Sequence, residues 1–118
     1  MFNPDVTQAT IRSTICVPGW TRSVRPPASY TDTLKRQQII DYGYIDTNPR
    51  HYEEDHLVPL ALGGAPRDPK NLWPELGASP NPKDKDEFDL YKKVCAGSMT
   101  LDAARTAILA RWGPEQER

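Results

Sequence analysis

Apolar residues recur at helical spacing in the last third of the chain. In KDKDEFDLYKKVCAG, which ends near Gly97, the recurring apolar residues are Phe88, Tyr91, Val94 and Cys95. In SMTLDAARTAILARW, they are Leu101, Ala104, Ile108 and Trp112. Residues three and four apart lie on the same side of an α-helix, so each set forms one apolar face. The pattern predicts two helices, the second over 98–113.

Two more helices are predicted in the first half of the chain. In NPDVTQATIRST, Asn3 suits an N-cap and Pro4 suits the first helical position. In SYTDTLKRQQIIDYG, Thr31 or Asp32 is the expected cap and Gly43 the expected stop. The stretch CVPGWTRSVRPPASY between them is rich in proline, so it is predicted to be extended or turning.

The segment from Tyr52 to Leu60 is predicted to be a strand. Its charged front and Pro59 argue against a helix, and the apolar LVPLAL suits a strand that turns at Gly63 and Gly64. After the loop APRDPK, the segment NLWPEL predicts a short partner strand. The elements follow the order ααββαα, which is an α+β chain with one long-tipped β-hairpin.

Composition agrees with a single globular domain. A chain of 118 residues with 37% hydrophobic and 26% charged content can bury one modest core. Twelve prolines against seven glycines indicate many fixed turns. No apolar run has the length of a membrane span, and MFNPDVTQAT lacks the layout of a signal peptide. We therefore expect no membrane partner.

The two halves of the chain differ in net charge. The net charge of −1 argues against a protein that binds nucleic acid mainly through bulk positive charge. Residues 1–50 carry six basic and four acidic side chains, a net +2, whereas residues 51–118 carry nine and twelve, a net −3. The acidic surplus includes the carboxylates beside His56, and Mg²⁺ prefers such oxygen ligands. A bound metal ion could supply the positive charge that a phosphate substrate needs.

The two cysteines, Cys16 and Cys95, are 79 positions apart. This spacing matches neither a CxxC redox pair nor a four-ligand zinc site. From the residues alone, one disulfide and two buried thiols both stay open.

The second half predicts a strand, a loop, a return strand and a helix, with Asp55 and His56 on the first strand and Asn71 at the start of the second. This arrangement resembles the HNH, or ββα-metal (His-Me finger), nuclease family. The resemblance rests on EDHLVPLALGG, on Asn71 in NLWPEL and on NPKDKDE, and it covers residues 52–95. TICVPGWTRSVRPPASY and VCAGSMTLDAARTAI are similar to segments of small bacterial HNH-like proteins. The implied fold is one domain, 1–118, in which a ββα-metal core at 52–95 is wrapped by a helical, proline-rich segment at 1–50 and by the C-terminal helix.

The resemblance implies a role for each of three residues. His56 is the general base, whose ordinary pKa leaves a neutral ring available near neutral pH. Asp55 is the metal ligand on the strand, and Asn71 ties the hairpin loop and orients the histidine ring. The implied cofactor is one divalent ion, Mg²⁺ first, with Mn²⁺, Ni²⁺ or Zn²⁺ as alternatives. His51 has no comparable surroundings and is interpreted as a surface residue.

The chain departs from the family pattern at the metal-ligand position on the helix. The usual histidine or asparagine is replaced by Pro80, so Asn81 becomes the candidate helix ligand. Asp84 and Glu87 are secondary oxygen donors, and Lys83 is a candidate point charge for phosphate. On the strand, Glu54 shares a face with His56 whereas Asp55 does not, which makes Glu54 a further secondary candidate.

The function implied by the resemblance is metal-dependent endonuclease activity on DNA with little sequence specificity, with RNA as an alternative substrate. We expect a monomer, and an inhibitor or immunity protein is a conceivable partner. In the same group the two cysteines are paired, which would favour a secreted or periplasmic protein. Two rival hypotheses stay open. One is a catalytically inactive HNH-like module that binds nucleic acid or protein. The other is a partner-binding surface at PGWTRSVRPPASY, with a structural metal site.

Overall fold

The computed structural model describes residues 1–77 and 82–113, which form a small α+β protein. Its helices and strands are α1 (Trp20–Val24), α2 (Ala28–Asp41), β1 (Tyr52–His56), β2 (Leu72–Leu76), α3 (Pro82–Ala96) and α4 (Leu101–Trp112). Short 3-10 helices lie at Ile11–Ser13, Pro49–His51, Leu60–Leu62 and Pro69–Asn71. The α+β class and the two-stranded hairpin are as predicted, whereas the first α-helix lies later in the chain than the sequence placed it.

The N-terminal segment corrects two predictions. Asn3 does not cap an α-helix; its Oδ1 accepts a hydrogen bond from the Asp5 amide at 2.9 Å, and the following residues turn until the 3-10 helix Ile11–Ser13. A side chain that bonds two residues ahead offers the backbone an alternative to a helix. The short helix α1 instead lies inside the proline-rich stretch that was predicted to be extended.

Helix α2 begins earlier than predicted and ends where the sequence indicated. It starts directly after Pro27 and ends at Asp41, and Gly43 follows with a φ of 69°. Its buried residues are Gln38 and Ile39, and Nε2 of Gln38 donates to the Leu72 carbonyl oxygen at 2.8 Å. Helix α2 therefore packs against the β-hairpin.

The two strands form an antiparallel pair in which His56 is opposite Leu72. The predicted first strand was too long: β1 ends at His56, and the chain continues through Pro59 into the 3-10 helix Leu60–Leu62. The apolar run after His56 is buried without alternation, because it enters the core instead of lying across a sheet. The long tip predicted for the hairpin is therefore a packed loop.

The hydrophobic core lies between the N-terminal segment, this loop and the two C-terminal helices. Its buried members are Val6, Ile11, Ile15, Val58, Leu62, Val94, Leu101, Ala104 and Ile108. The α4 members belong to the apolar face that its sequence predicted. In α3, Val94 is buried, whereas Phe88 is 58% exposed despite its helical spacing.

A disulfide bond joins Cys16 to Cys95, so the N-terminal segment is covalently linked to the end of α3. The pairing implied by the resemblance is therefore confirmed, and it is compatible with a secreted or periplasmic protein. None of the described helices combines the length and the apolar character that crossing a membrane requires.

Candidate active site

The loop after β1 is held by the side chain of Asn71, which is fully buried. Its Oδ1 accepts from the Val58 amide at 2.8 Å, and its Nδ2 donates to the carbonyl oxygens of Val58 at 3.0 Å and Ala65 at 3.1 Å. In the part of the chain that the structure describes, no hydrogen bond joins this amide to the His56 ring. Asn71 thus ties the loop, as predicted. The prediction that its amide also holds the histidine ring is corrected, because the ring is bonded to the Pro66 carbonyl oxygen instead.

Two glycines are required where this loop closes. A Cβ at Gly64 would overlap the Val58 carbonyl oxygen and lie 2.8 Å from Nδ2 of Asn71. Gly63 has a φ of 74°, and a Cβ there would overlap the guanidinium group of Arg105. That guanidinium group donates to the Gly63 carbonyl oxygen at 3.3 Å. Gly64 is therefore needed for close packing against Val58 and Asn71, and Gly63 is needed for the turn and for close packing beside Arg105.

The imidazole ring of His56 is oriented by one backbone carbonyl. Its Nε2 lies 3.0 Å from the carbonyl oxygen of Pro66, at the far end of the same loop. A carbonyl oxygen only accepts hydrogen bonds, so Nε2 carries the proton and Nδ1 holds the lone pair of the neutral ring. Burial is the largest effect on the pKa of His56 and lowers it, which favours the neutral form. The ring therefore has the protonation state that a general base requires.

The carboxylate of Asp55 is paired with a buried ammonium group. Lys83, in the first turn of α3, has a side chain that is only 1% exposed, and its Nζ contacts Oδ2 of Asp55. The same Nζ donates to the His56 carbonyl oxygen at 3.0 Å and lies 3.9 Å from Oε1 of Glu87. This corrects the expectation that Lys83 offers its charge to a phosphate in solution. The side chain instead joins α3 to β1 from within the protein.

A cleft of about 250 Å³ runs along β1. The charged and titratable residues that line it are Arg25, Glu53, Glu54, Asp55, His56, Asp84 and Glu87. The structure thus brings the predicted pair, Asp55 and His56, together with the three secondary carboxylates. Arg25, which follows α1 and is exposed, is the basic residue among these lining residues.

Glu54 is a buried carboxyl group whose two oxygens have no hydrogen-bond partner among the residues described. Burial raises the pKa of Glu54 to about 8, the charge of Asp55 adds to the rise, and Lys35 opposes it. Because side chains alternate along β1, Glu54 lies on the same face as His56. At neutral pH, the carboxyl group next to the base is therefore mostly protonated.

Replacing Glu54 with Gln should change how stability depends on pH. The folded protein keeps a proton that the unfolded chain releases above the ordinary pKa of 4.5, so the free energy of unfolding should fall as the pH rises towards about 8. Glutamine has no such proton to lose. The variant should therefore lose less stability over this interval and should be more stable than wild type at its upper end. Chemical denaturation at a series of pH values measures how the free energy of unfolding of each protein depends on pH.

The matched control is Glu53→Gln, which changes the exposed neighbour in the same strand. Its pH slope should equal that of the wild type. If the free energy of unfolding of Glu54→Gln depends on pH as strongly as that of wild type, the Glu54 carboxyl group does not have the raised pKa.

Glu87 is the second carboxyl group of the cleft with a raised pKa. Burial and then the charge of Asp55 raise the pKa of Glu87 to about 8, while the ammonium group of Lys83 lowers it. At neutral pH, Glu87 is therefore mostly neutral. The charge that balances Lys83 comes from Asp55.

The metal site implied by the resemblance can be compared with this geometry. Asn81, the predicted helix ligand, lies outside the described residues together with Pro80. Within residues 1–77 and 82–113, no group of three or more His, Cys, Asp or Glu side chains is arranged to hold a metal ion. The carboxylate of Asp55 is in contact with Lys83. A divalent ion bound by Asp55 does not fit this arrangement, because it would meet the positive charge of Lys83.

Two features of the site had little signal in the sequence. Arg25 belongs to the proline-rich segment, and only the tertiary fold brings it to the cleft. Lys83 stands in the first turn of a helix, where the helix dipole favours acidic residues and local rules place a lysine in solvent. This locally unfavourable position was the one signal in the sequence that Lys83 has a specific partner.

Comparison of the chain with protein-family models, with curated proteins and with solved structures finds no match.

Proposed function

We propose that this protein is an HNH-like endonuclease that hydrolyses phosphodiester bonds in nucleic acid, with His56 as the general base. The observation that carries the proposal is the hydrogen bond between Nε2 of His56 and the Pro66 carbonyl oxygen, which leaves Nδ1 of a neutral ring as the proton acceptor. The hairpin, its Asn71-bound loop and the helix that follows agree with the ββα-metal core that the resemblance implies.

In this mechanism, Nδ1 of His56 takes a proton from a water molecule, and the resulting hydroxide attacks the phosphorus atom. The bond between phosphorus and the 3′ oxygen breaks, and the departing 3′ oxygen takes a proton from a solvent water molecule. One product therefore carries a 5′ phosphate and the other a 3′ hydroxyl group. Arg25 lines the cleft and is exposed, so its guanidinium group can contact a phosphate oxygen and offset the developing negative charge.

Asn71 and Lys83 act in this proposal as positioning residues. Asn71 binds the carbonyl oxygen of Ala65, next to the Pro66 carbonyl group that orients the ring. Lys83 binds the backbone carbonyl oxygen of His56 itself. Both side chains are buried, so they affect the direction of the base without touching the substrate.

The proposed substrate is DNA, with RNA as the alternative. A second cleft, of about 400 Å³, is lined by the basic residues Lys35, Arg36 and Arg50 and by the acidic Asp32. Nζ of Lys35 also donates to the Tyr52 carbonyl oxygen at 3.1 Å, so this cleft adjoins β1. Basic groups of this kind bind backbone phosphates, which carry no sequence information directly. We therefore expect cleavage with little base specificity.

Dependence on Mg²⁺, or on Mn²⁺, Ni²⁺ or Zn²⁺, remains the prediction of the family resemblance. Because a divalent ion at Asp55 does not fit the described side chains, the steps above use the residues of the chain alone. The metal requirement is therefore measured separately from the role of His56.

The test is a cleavage assay with the 118-residue chain in its disulfide-bonded form. Supercoiled plasmid, single-stranded DNA and RNA are each incubated with one of the four ions or with EDTA. We expect cleavage products that carry 5′ phosphates. Folded protein that cleaves none of these polymers under any condition would contradict the proposal. DNA retention that chelator does not affect, without cleavage, would instead support the inactive binding module.

A further inference from the structure

Lys83 contacts oxygen atoms that converge from two elements of the fold. Its Nζ touches a carboxylate oxygen of Asp55 and the carbonyl oxygen of His56, both on β1, and lies near a carboxyl oxygen of Glu87 on α3. Carboxylate and carbonyl oxygens are the ligands that hard divalent cations take up in proteins. An ammonium group thus occupies a set of oxygens of the kind that suits such an ion.

The position of Lys83 is unfavourable by local criteria. Burial removes the ammonium group from water, and the first turn of α3 places it at the positive end of the helix dipole. The opposite charge of Asp55 and the hydrogen bond to the His56 carbonyl oxygen offset these costs. Removal of Lys83 alone would therefore leave the Asp55 carboxylate and its neighbouring oxygens in need of another cation.

We infer that Lys83 is the built-in cation of this site, and that Asp55 binds a divalent cation only when the Lys83 ammonium group has been removed. The inference does not rest on the proposed nuclease activity, because it concerns which cation the oxygen set holds. It differs from the expectation of the resemblance, in which Asp55 is a metal ligand in the native chain.

A purely structural ion pair would behave differently when Lys83 is replaced. If Lys83 only ties α3 to β1, its loss lowers stability and creates no ion site. If Lys83 takes the place of an ion, its loss exposes oxygens that a divalent cation can occupy. Ion binding, measured directly, separates these two roles, whereas stability alone does not.

The experiment measures Mn²⁺ binding by titration calorimetry and by the electron paramagnetic resonance signal of free Mn²⁺. The proteins are wild type, Lys83→Met, the double variant Lys83→Met/Asp55→Asn, and Lys85→Met, which removes an equal charge from an exposed position in the same helix. We expect Lys83→Met to bind Mn²⁺ at least about tenfold more tightly than wild type and Lys85→Met. The added Asp55→Asn change should abolish this gain.

A folded Lys83→Met protein with no gain in affinity would overturn the inference, as would a gain that Asp55→Asn leaves unchanged. If Lys83→Met does not fold, the comparison of wild type with Asp55→Asn decides. The inference expects equal Mn²⁺ binding by these two proteins, and it is overturned if wild type binds Mn²⁺ more tightly through Asp55. Cleavage assays on the same samples show separately whether the nuclease proposal holds.

Discussion

His56→Ala is expected to lower the rate of phosphodiester cleavage by about 10²–10⁴-fold, the usual contribution of a positioned general base. The variant loses the Nδ1 lone pair that accepts the proton of water, and no other residue replaces it in the mechanism. The folded state loses one side-chain hydrogen bond, to the Pro66 carbonyl oxygen, so its free energy of unfolding should fall by only about 1 kcal/mol. Initial rates and thermal denaturation, measured on the same preparation, separate the two effects.

The matched control is His51→Ala, because the side chain of His51 is 53% exposed and is paired with Asp46 away from the proposed base. Its cleavage rate should equal that of wild type. The wild-type rate should also rise with pH through a pKa below 6.5, since burial lowers the pKa of His56. If His56→Ala cleaves as fast as wild type, His56 is not the base. If both variants lose activity equally, the loss does not report on the site.

Replacing Cys16 and Cys95 together with Ser should lower the free energy of unfolding by about 4 kcal/mol. The disulfide closes a loop with a sequence separation of 79, so it removes many conformations from the unfolded chain. In the folded state, it joins the segment that contributes Ile11 and Ile15 to the helix that contributes Val94. A loss of this size is a large share of the stability of a small domain, and partial unfolding at physiological temperature is expected.

Urea denaturation of the oxidised wild type, the reduced wild type and the double Ser variant provides the measurement. The reduced protein controls for the Ser substitutions, and it should unfold at nearly the same urea concentration as the double variant. If reduction leaves the unfolding midpoint of wild type unchanged, the bond does not stabilise the fold as loop closure requires.

Local sequence was sufficient for the elements whose apolar residues meet the core at regular spacing. Helix α4 buries Leu101, Ala104 and Ile108, the face that the 3.6-residue period indicated. Helix α2 ends before Gly43 because glycine adopts the positive φ that follows the helix. Local rules failed where a side chain competes with the helix for backbone groups. Asn3 was predicted as a cap, yet its side chain forms a turn with Asp5.

The family resemblance named Asp55, His56 and Asn71 as site residues, and strand geometry added Glu54. Asp55 and His56 are adjacent, and Glu54 has its predicted place on the His56 face of β1. The predicted role of Asn71 in tying the loop agrees with its bonds to Val58 and Ala65. The partner of the histidine ring could not be predicted, since it is a backbone carbonyl, and every residue carries one.

Only the tertiary structure decided which charges meet at the site. Lys83 stands 28 positions after Asp55, in a helix whose own rules would leave it in water, and yet its ammonium group pairs with that carboxylate. Arg25 lines the same cleft, although it lies well before β1 in the chain. Electrostatic pairing depends on distance in space and on burial, and neither follows from spacing along the chain. The sequence and its family resemblance were therefore sufficient to indicate a histidine base beside a carboxylate. The lysine that pairs with that carboxylate could be identified only from the fold.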